Sequence, residues 1–228
     1  MAGEAPLLRN SYWVLRHGKS IPNERGLIVS SLENGTLQEF GLAPEGIEQA
    51  KLAGELFNKE LKEKNVLVEN VRICYSPFSR TKQTAKEVAG ALGIPFEGAQ
   101  CKAMEALRER HFGPLFELLS HDKYAEIWAL DEKDPFMSPE GGESVADVAF
   151  RLATALATIE SEYDGCTILV VSHGDPLQIL QTVIHAAREH SSSNAENIMA
   201  RIKGVMVHSF LSGHRKFALL TGELRHVS

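Results

Sequence analysis

The sequence predicts an α/β protein with three layers, α/β/α, around a largely parallel central sheet. Three observations carry that expectation. Apolar strand-like runs alternate with segments of helical period along the chain. The run Thr-Ile-Leu-Val-Val-Ser at 167–172 is too continuous for a half-exposed strand and suits the middle of a parallel sheet covered on both faces. Finally, 228 residues without an internal repeat or a linker fit one domain, residues 1–228, with room for a large apolar core.

Each element has a local reason. Residues 12–15 form a short apolar run that ends in Arg16-His17-Gly18, a buried strand delivering a polar loop. Residues 20–41 are rich in Asn, Gly, Ser and Glu and read as a long surface loop. Pro44 opens a helix in which Ile47, Ala50, Ala53, Phe57 and Leu61 recur at helical spacing, to about residue 64. A second strand covers 71–75, closed by Ser76-Pro77, and 81–92 is helical with Gly93 as its stop. Residues 104–119 read as a strand end and then a loop, broken by Gly113-Pro114. Residues 123–131 are read as helical and 133–142 as loop. Ser144 caps a long helix with Val145, Val148, Leu152, Leu156 and Ile159 on one face. After the 167–172 strand come a helix over 177–189 and a polar surface linker over 191–196. Two strand candidates, 206–210 and 217–220, close the chain and offer an edge for a homodimer.

Composition narrows the function classes. The net charge of −6, histidines neutral, gives no basic field for nucleic acid. A local positive pocket inside an acidic protein would select small anions. Three cysteines, Cys74, Cys101 and Cys166, lie far apart without a CxxC pair, which argues against a disulfide framework or a zinc site. Reduced thiols point to a reducing, cytoplasmic setting. No apolar run approaches membrane-spanning length, and the amino terminus does not read as a signal peptide.

Four strand-to-loop junctions carry candidate chemistry: Arg16-His17-Gly18-Lys19-Ser20 with Asn23; Ser76-Pro77 to Arg80; Leu107-Arg108-Glu109-Arg110; and Ser172-His173-Gly174. In open α/β sheets the ligand site lies outside the carboxyl ends of the strands. Gathered there, the set suits phosphoryl transfer. Arginine forks bind a dianionic phosphate, a neutral imidazole can attack phosphorus, and a protonated buried glutamate can supply a proton to the departing alkoxide. Each piece alone is weak, since a lone His after a strand is more often structural. The joint order is not.

The blocks resemble the histidine phosphatase superfamily in its phosphoglycerate-mutase-like branch. Arg16-His17-Gly18 with Asn23 is similar to its RHG signature, Ser76-Pro77 to Arg80 to its second arginine block, Glu109 with its flanks to its acid block, Gly142-Glu143-Ser144 with Arg151 to the helix that follows, and Ser172-His173-Gly174 to its second-histidine block. The resemblance implies that His17 becomes phosphohistidine, that Arg16, Arg80 and His173 hold the phosphoryl group, and that Glu109 is the general acid and base. It implies further that Gly18, Ser20, Asn23 and Gly174 complete the pocket. Arg110 is the favoured reader of the substrate's far end. No metal and no cofactor is implied, and the partner is a small phosphorylated metabolite or a phosphopeptide. Two departures stand out: Lys19 where the family usually has Glu, and Asp175 straight after the second His-Gly, where a carboxylate would repel phosphate unless it points away.

Other readings stay open. Mutases of this branch carry an arginine- and aromatic-rich insertion between the acid block and the Gly-Glu-Ser block, whereas residues 115–142 contain no Arg, which favours a phosphatase over a phosphoglycerate mutase. A non-catalytic phospho-ligand-binding protein would typically lack one of the core residues, and all are present. A metal hydrolase is weighed because there are nine histidines, but His208 and His214 have no close carboxylate or cysteine partner in sequence, and His185 and His190 lie five apart on a helix.

Overall fold

The computed structural model describes residues 7–190 and 198–227. Its elements run β1 (Ser11–Arg16), α1 (Ile21–Arg25), α2 (Leu32–Gly35), α3 (Pro44–Glu63), β2 (Val71–Tyr75), α4 (Ser79–Leu92), β3 (Cys101–Ala103), α5 (Tyr124–Lys133), α6 (Val145–Glu162), β4 (Thr167–Ser172), α7 (Gly174–His190), α8 (Ile198–Val205), α9 (His208–Leu211) and β5 (Leu224–His226). The sheet order is β3-β2-β4-β1-β5. The first four are mutually parallel, and β5 adds an antiparallel edge, with Trp13 opposite His226 and Leu15 opposite Leu224.

The all-apolar centre of β4 is explained by its position. β4 is buried at every residue, lies between β1 and β2, and is covered on both faces. Ile168 and Val170 face one core with Tyr12, Val14 and Cys74, packed under α6, α7 and α8. Leu169 and Val171 face the other with Trp13, Leu15 and Ile73, packed under α3 and α4. These are the three expected layers. Burying each such Val, Leu or Ile contributes roughly 1.5–3 kcal/mol. Cys74 and Cys166 are buried in the first core, and the three cysteines are unpaired.

The long segment 20–41 is more structured than expected. Ser20 and Asn23 form a reciprocal capping box on α1, and the Ser31 hydroxyl accepts from the Asn34 N–H at the start of α2. Glu117 pins this stretch to the segment after Gly113, accepting from Ser30 and Ser31 backbone N–H groups, both their hydroxyls and the Asn34 amide. Helix α7 begins at Gly174, three residues earlier than expected, because Pro176 is tolerated in a first turn where N–H groups have no helical partner. The strand candidates at 206–210 and 217–220 are corrected. The first becomes α9, whose buried Leu211 packs into the α6–α7–α8 core, and the second is mostly past a 3₁₀ turn over His214–Phe217. The sheet edge they were expected to supply is β5 instead. The linker expected at 191–196 lies outside the described residues. No helix among the described residues is long and apolar enough to cross a membrane.

Candidate active site

Parallel pairing of β1 with β4 sets Arg16 opposite Ser172, so the two loops carrying His17 and His173 leave the sheet side by side. The His17 N–H donates to the Ser172 carbonyl at 3.0 Å. The two imidazoles end with ring centroids 5.2 Å apart. Arg80 enters from the first turn of α4, which follows β2, and its Nε donates to His17 Nε2 at 3.2 Å.

Hydrogen bonds decide the tautomers. His17 Nδ1 lies 2.7 Å from the Gly18 carbonyl, which can only accept, so the proton is on Nδ1 and the lone pair on Nε2. Burial, then the positive charges of Arg80 and Arg16, hold the His17 pKa well below the ordinary histidine range. Its imidazole is therefore neutral at pH 7. His173 Nε2 meets the Ser76 hydroxyl at 2.8 Å. With that hydroxyl donating, the His173 proton sits on Nδ1, which has no hydrogen-bond partner among the described residues.

Two more buried donors lack an acceptor among the described residues: Arg16 Nε and Arg80 Nη1. The rest of each guanidinium is anchored. Arg16 Nη1 donates to the Leu219 carbonyl at 2.7 Å and Arg80 Nη2 to the Val29 carbonyl at 3.0 Å. Leaving a buried donor unpaired costs about 1–3 kcal/mol, more when it is charged. Three of them around one imidazole lone pair describe a socket for an anion with several oxygens.

Glu109 hangs over this floor. Its Oε2 is 3.8 Å from both Arg80 Nη2 and His173 Nδ1, and the residue is only 8% exposed. Burial pushes its carboxyl up to about 7; Arg80 pulls it down and the nearby Asp175 charge raises it further. The Glu109 backbone is fixed from behind. Arg151 donates to the Glu109 and Ala106 carbonyls while its Nε binds Glu143 at 2.8 Å, and Glu143 also takes Arg108 Nη2 at 2.8 Å and the His111 N–H at 3.0 Å. This explains why Glu143 and Arg151 accompany the acid block.

Other expected positions differ. Arg110 does not face the cavity. It is fully buried, gripping Asp131 in α5 with two hydrogen bonds of 2.7 Å and Asp175 in α7 at 3.1 Å, with Nε on the Glu143 carbonyl. A buried guanidinium needs compensating carboxylates, and Asp175 is one of them. Burial alone would raise the Asp175 carboxyl, but His214 and Arg110 hold it down at about 2. The carboxylate beside the second His-Gly is thus tied up by cations. Gly18 has both backbone groups engaged, its N–H with Thr84 Oγ1 and its carbonyl with His17. Its value is spatial, since a Cβ there would stand 2.1 Å from the Gly46 carbonyl oxygen. The Ser20 hydroxyl is spent on the α1 cap, donating to Asn23 Oδ1, which leaves the Asn23 amide nitrogen free where Asn23 lines the cavity. Gly174 also lines it. Asp131, Asp175 and His214 have metal-ligand spacing, with donor atoms within 4.8 Å of one another, but Arg110 Nη1 bridges the two carboxylates and supplies the positive charge there.

Above the floor opens a cavity of about 630 Å³, walled by Phe112, His121, Tyr124, Trp128, Gln178 and Arg215, with Lys19 and Glu45 also lining it. The sequence places the 115–142 stretch, which carries His121, Tyr124 and Trp128, at the mouth of the site but singles out none of these side chains as its wall. Its residues come from segments far apart in the chain, and no motif joins them.

The sequence model of the histidine phosphatase superfamily, branch 1, matches residues 12–206. The chain belongs to that superfamily. Among its relatives, a metal-independent phosphoserine phosphatase from Arabidopsis thaliana is 30% identical over 172 residues, 73% of this chain; the match takes in only 65% of that relative's length. Phosphoglycerate mutase-like protein 4 from the same plant is 25% identical over 94% of this chain and 85% of its own. A phosphoserine phosphatase from Entamoeba histolytica, solved with 3-phosphoglyceric acid, superposes with a TM-score of 0.63 at 20% identity, covering 94% of this chain and 88% of that one. That likeness speaks for the fold.

Proposed function

We propose that this protein hydrolyses phosphomonoesters without a metal, through a phosphohistidine on His17. The observation that carries the reading is the neutral His17 Nε2 lone pair set among three unpartnered buried donors, Arg16 Nε, Arg80 Nη1 and His173 Nδ1. Phosphate oxygens take those donors and Arg80 Nε, which frees the lone pair. Nε2 attacks phosphorus, the P–O bond to the alcohol breaks, and the protonated Glu109 gives its proton to the departing oxygen. Charge on the equatorial oxygens is met by fixed donors that need no reorganisation. Glu109, now a carboxylate, takes a proton from water; the hydroxide oxygen bonds to phosphorus as the P–Nε2 bond breaks, releasing phosphate and regenerating neutral His17. The Gly18 carbonyl holds Nδ1–H throughout, so the ring keeps one orientation. The phosphoserine phosphatase among the relatives supports hydrolysis over mutase chemistry, and free thiols support a reducing, cytoplasmic setting.

The test is a rapid quench with a ³²P-labelled ester in excess chelator. Acid-labile, alkali-stable label should appear on the wild-type protein and be absent from His17→Ala. Label that persists on His17→Ala, or turnover that the chelator abolishes, would end the proposal.

A further inference from the structure

We infer that the cavity above the phosphate floor takes phosphomonoesters whose alcohol carries a flat, uncharged ring, as a nucleoside 5′-monophosphate does, in preference to short carboxylated alcohols. The inference rests on the function proposed above and names its substrate class.

The wall is aromatic and layered. Tyr124 and Trp128 sit one turn apart on α5 with rings 9° from parallel and centroids 5.6 Å apart. Arg215 lays its guanidinium over the Trp128 indole at 3.7 Å, and Phe112 meets Tyr124 edge-on at 5.5 Å. All four line the cavity. Planar side chains of this kind bind flat rings by stacking, whichever ring it is.

Charge decides against a carboxylate. Each cation named beyond the floor already has a carboxylate neighbour. Lys19 Nζ is 2.7 Å from Glu45, and Arg215 Nη1 is 3.8 Å from Glu132. Arg110 is consumed by Asp131 and Asp175. A carboxylate on the leaving alcohol would have to compete with Glu45 or Glu132 for these cations. Burial lowers the His121 pKa, and its Nε2 is engaged with the Leu27 carbonyl, so it adds no positive charge at neutral pH. Gln178 contributes an amide instead: its Oε1 is buried in the wall with no hydrogen-bond partner among the described residues, so it can accept from an O–H or N–H donor on the substrate. Size points the same way, because a three-carbon acid leaves most of 630 Å³ unfilled.

The experiment measures kcat/KM of the full chain for adenosine and uridine 5′-monophosphates, ribose 5-phosphate, 3-phosphoglycerate, phosphoserine and p-nitrophenyl phosphate. A nucleotide and ribose 5-phosphate share the same primary alkoxide leaving group, so their ratio isolates the ring. The nucleotides should exceed ribose 5-phosphate by about tenfold or more, and should exceed both carboxylated esters. Trp128→Ala should bring the nucleotide-to-ribose ratio close to one while Trp128→Phe retains most of it; a ratio within one preparation is insensitive to partial misfolding. A preference for 3-phosphoglycerate or phosphoserine, or a ratio that Trp128→Ala leaves unchanged, overturns the inference and leaves the phosphatase reading standing. Failure to hydrolyse even the nitrophenyl ester overturns both.

Discussion

Replacing Glu109 with Gln tests the site at its proposed general acid. The amide keeps the shape but has no proton to give. An alkyl phosphate, whose alkoxide must be protonated as it leaves, should lose about 10²–10⁴ in kcat/KM. p-Nitrophenyl phosphate, whose leaving group departs as a stable anion, should lose far less in the first step, and the phosphoenzyme should accumulate because the water has lost its base. In the wild type, kcat/KM on the alkyl ester should decline as pH rises past about 7, where Glu109 gives up its proton. Stability should also fall with rising pH, over a lower window. The native carboxyl, held at about 7 against an ordinary 4.5, binds more protons than the unfolded chain between those values, so folding weakens as pH rises through that window. With each pH unit worth about 1.4 kcal/mol, the buried carboxylate costs the fold about 3 kcal/mol at pH 8. Glu109→Gln should therefore be more stable than wild type at pH 8, and much less so at pH 4.5, by urea denaturation. Equal losses on the two esters, or a Gln variant less stable at pH 8, would refute the assignment and the electrostatics behind it.

Two further outcomes follow from packing. Arg110→Ala strands Asp131 and Asp175 as buried charges and should cost about 3–5 kcal/mol in urea or thermal melts; a loss under 1 kcal/mol would mean the network is solvated. Gly46→Ala would bring a Cβ to 2.0 Å from the Lys19 carbonyl oxygen, so the backbone after His17 must shift, and kcat/KM should fall about 10²-fold with a smaller change in melting temperature. Unchanged kinetics would show that the loop yields freely.

The elements visible in the sequence are those whose burial is one-sided and long. Helices α3, α4, α6 and α7 carry an apolar stripe, and β1, β2 and β4 are buried runs, so period and continuity found them. β3 and β5 are three residues each, contain no fully buried residue, and exist because β2 and β1 offer them an edge. Neighbours define them, not their own pattern. The site divides in the same way. His17, Arg80, Glu109 and His173 stand at junctions that the sheet itself brings together, whereas Tyr124, Trp128 and Arg215 meet only through the packing of α5 against the segment after α9. Arg110 shows a further limit: beside an acid in a polar loop it reads as a substrate contact, and only the partners Asp131 and Asp175, 21 and 65 residues away, reveal a buried strut.

The late segment that lines the cavity also holds its floor. The Leu219 carbonyl anchors Arg16, the Gly222 N–H donates to the Arg16 and His17 carbonyls at 3.1 Å, and β5 closes the sheet against β1. A chain still emerging from the ribosome has made its RHG loop early but lacks the strands and the strap that shape it. A chain cut before Leu219 should therefore lose the anchors of Arg16 and of the His17 loop, and with them the proposed phosphate socket, measured as lost phosphate binding by calorimetry.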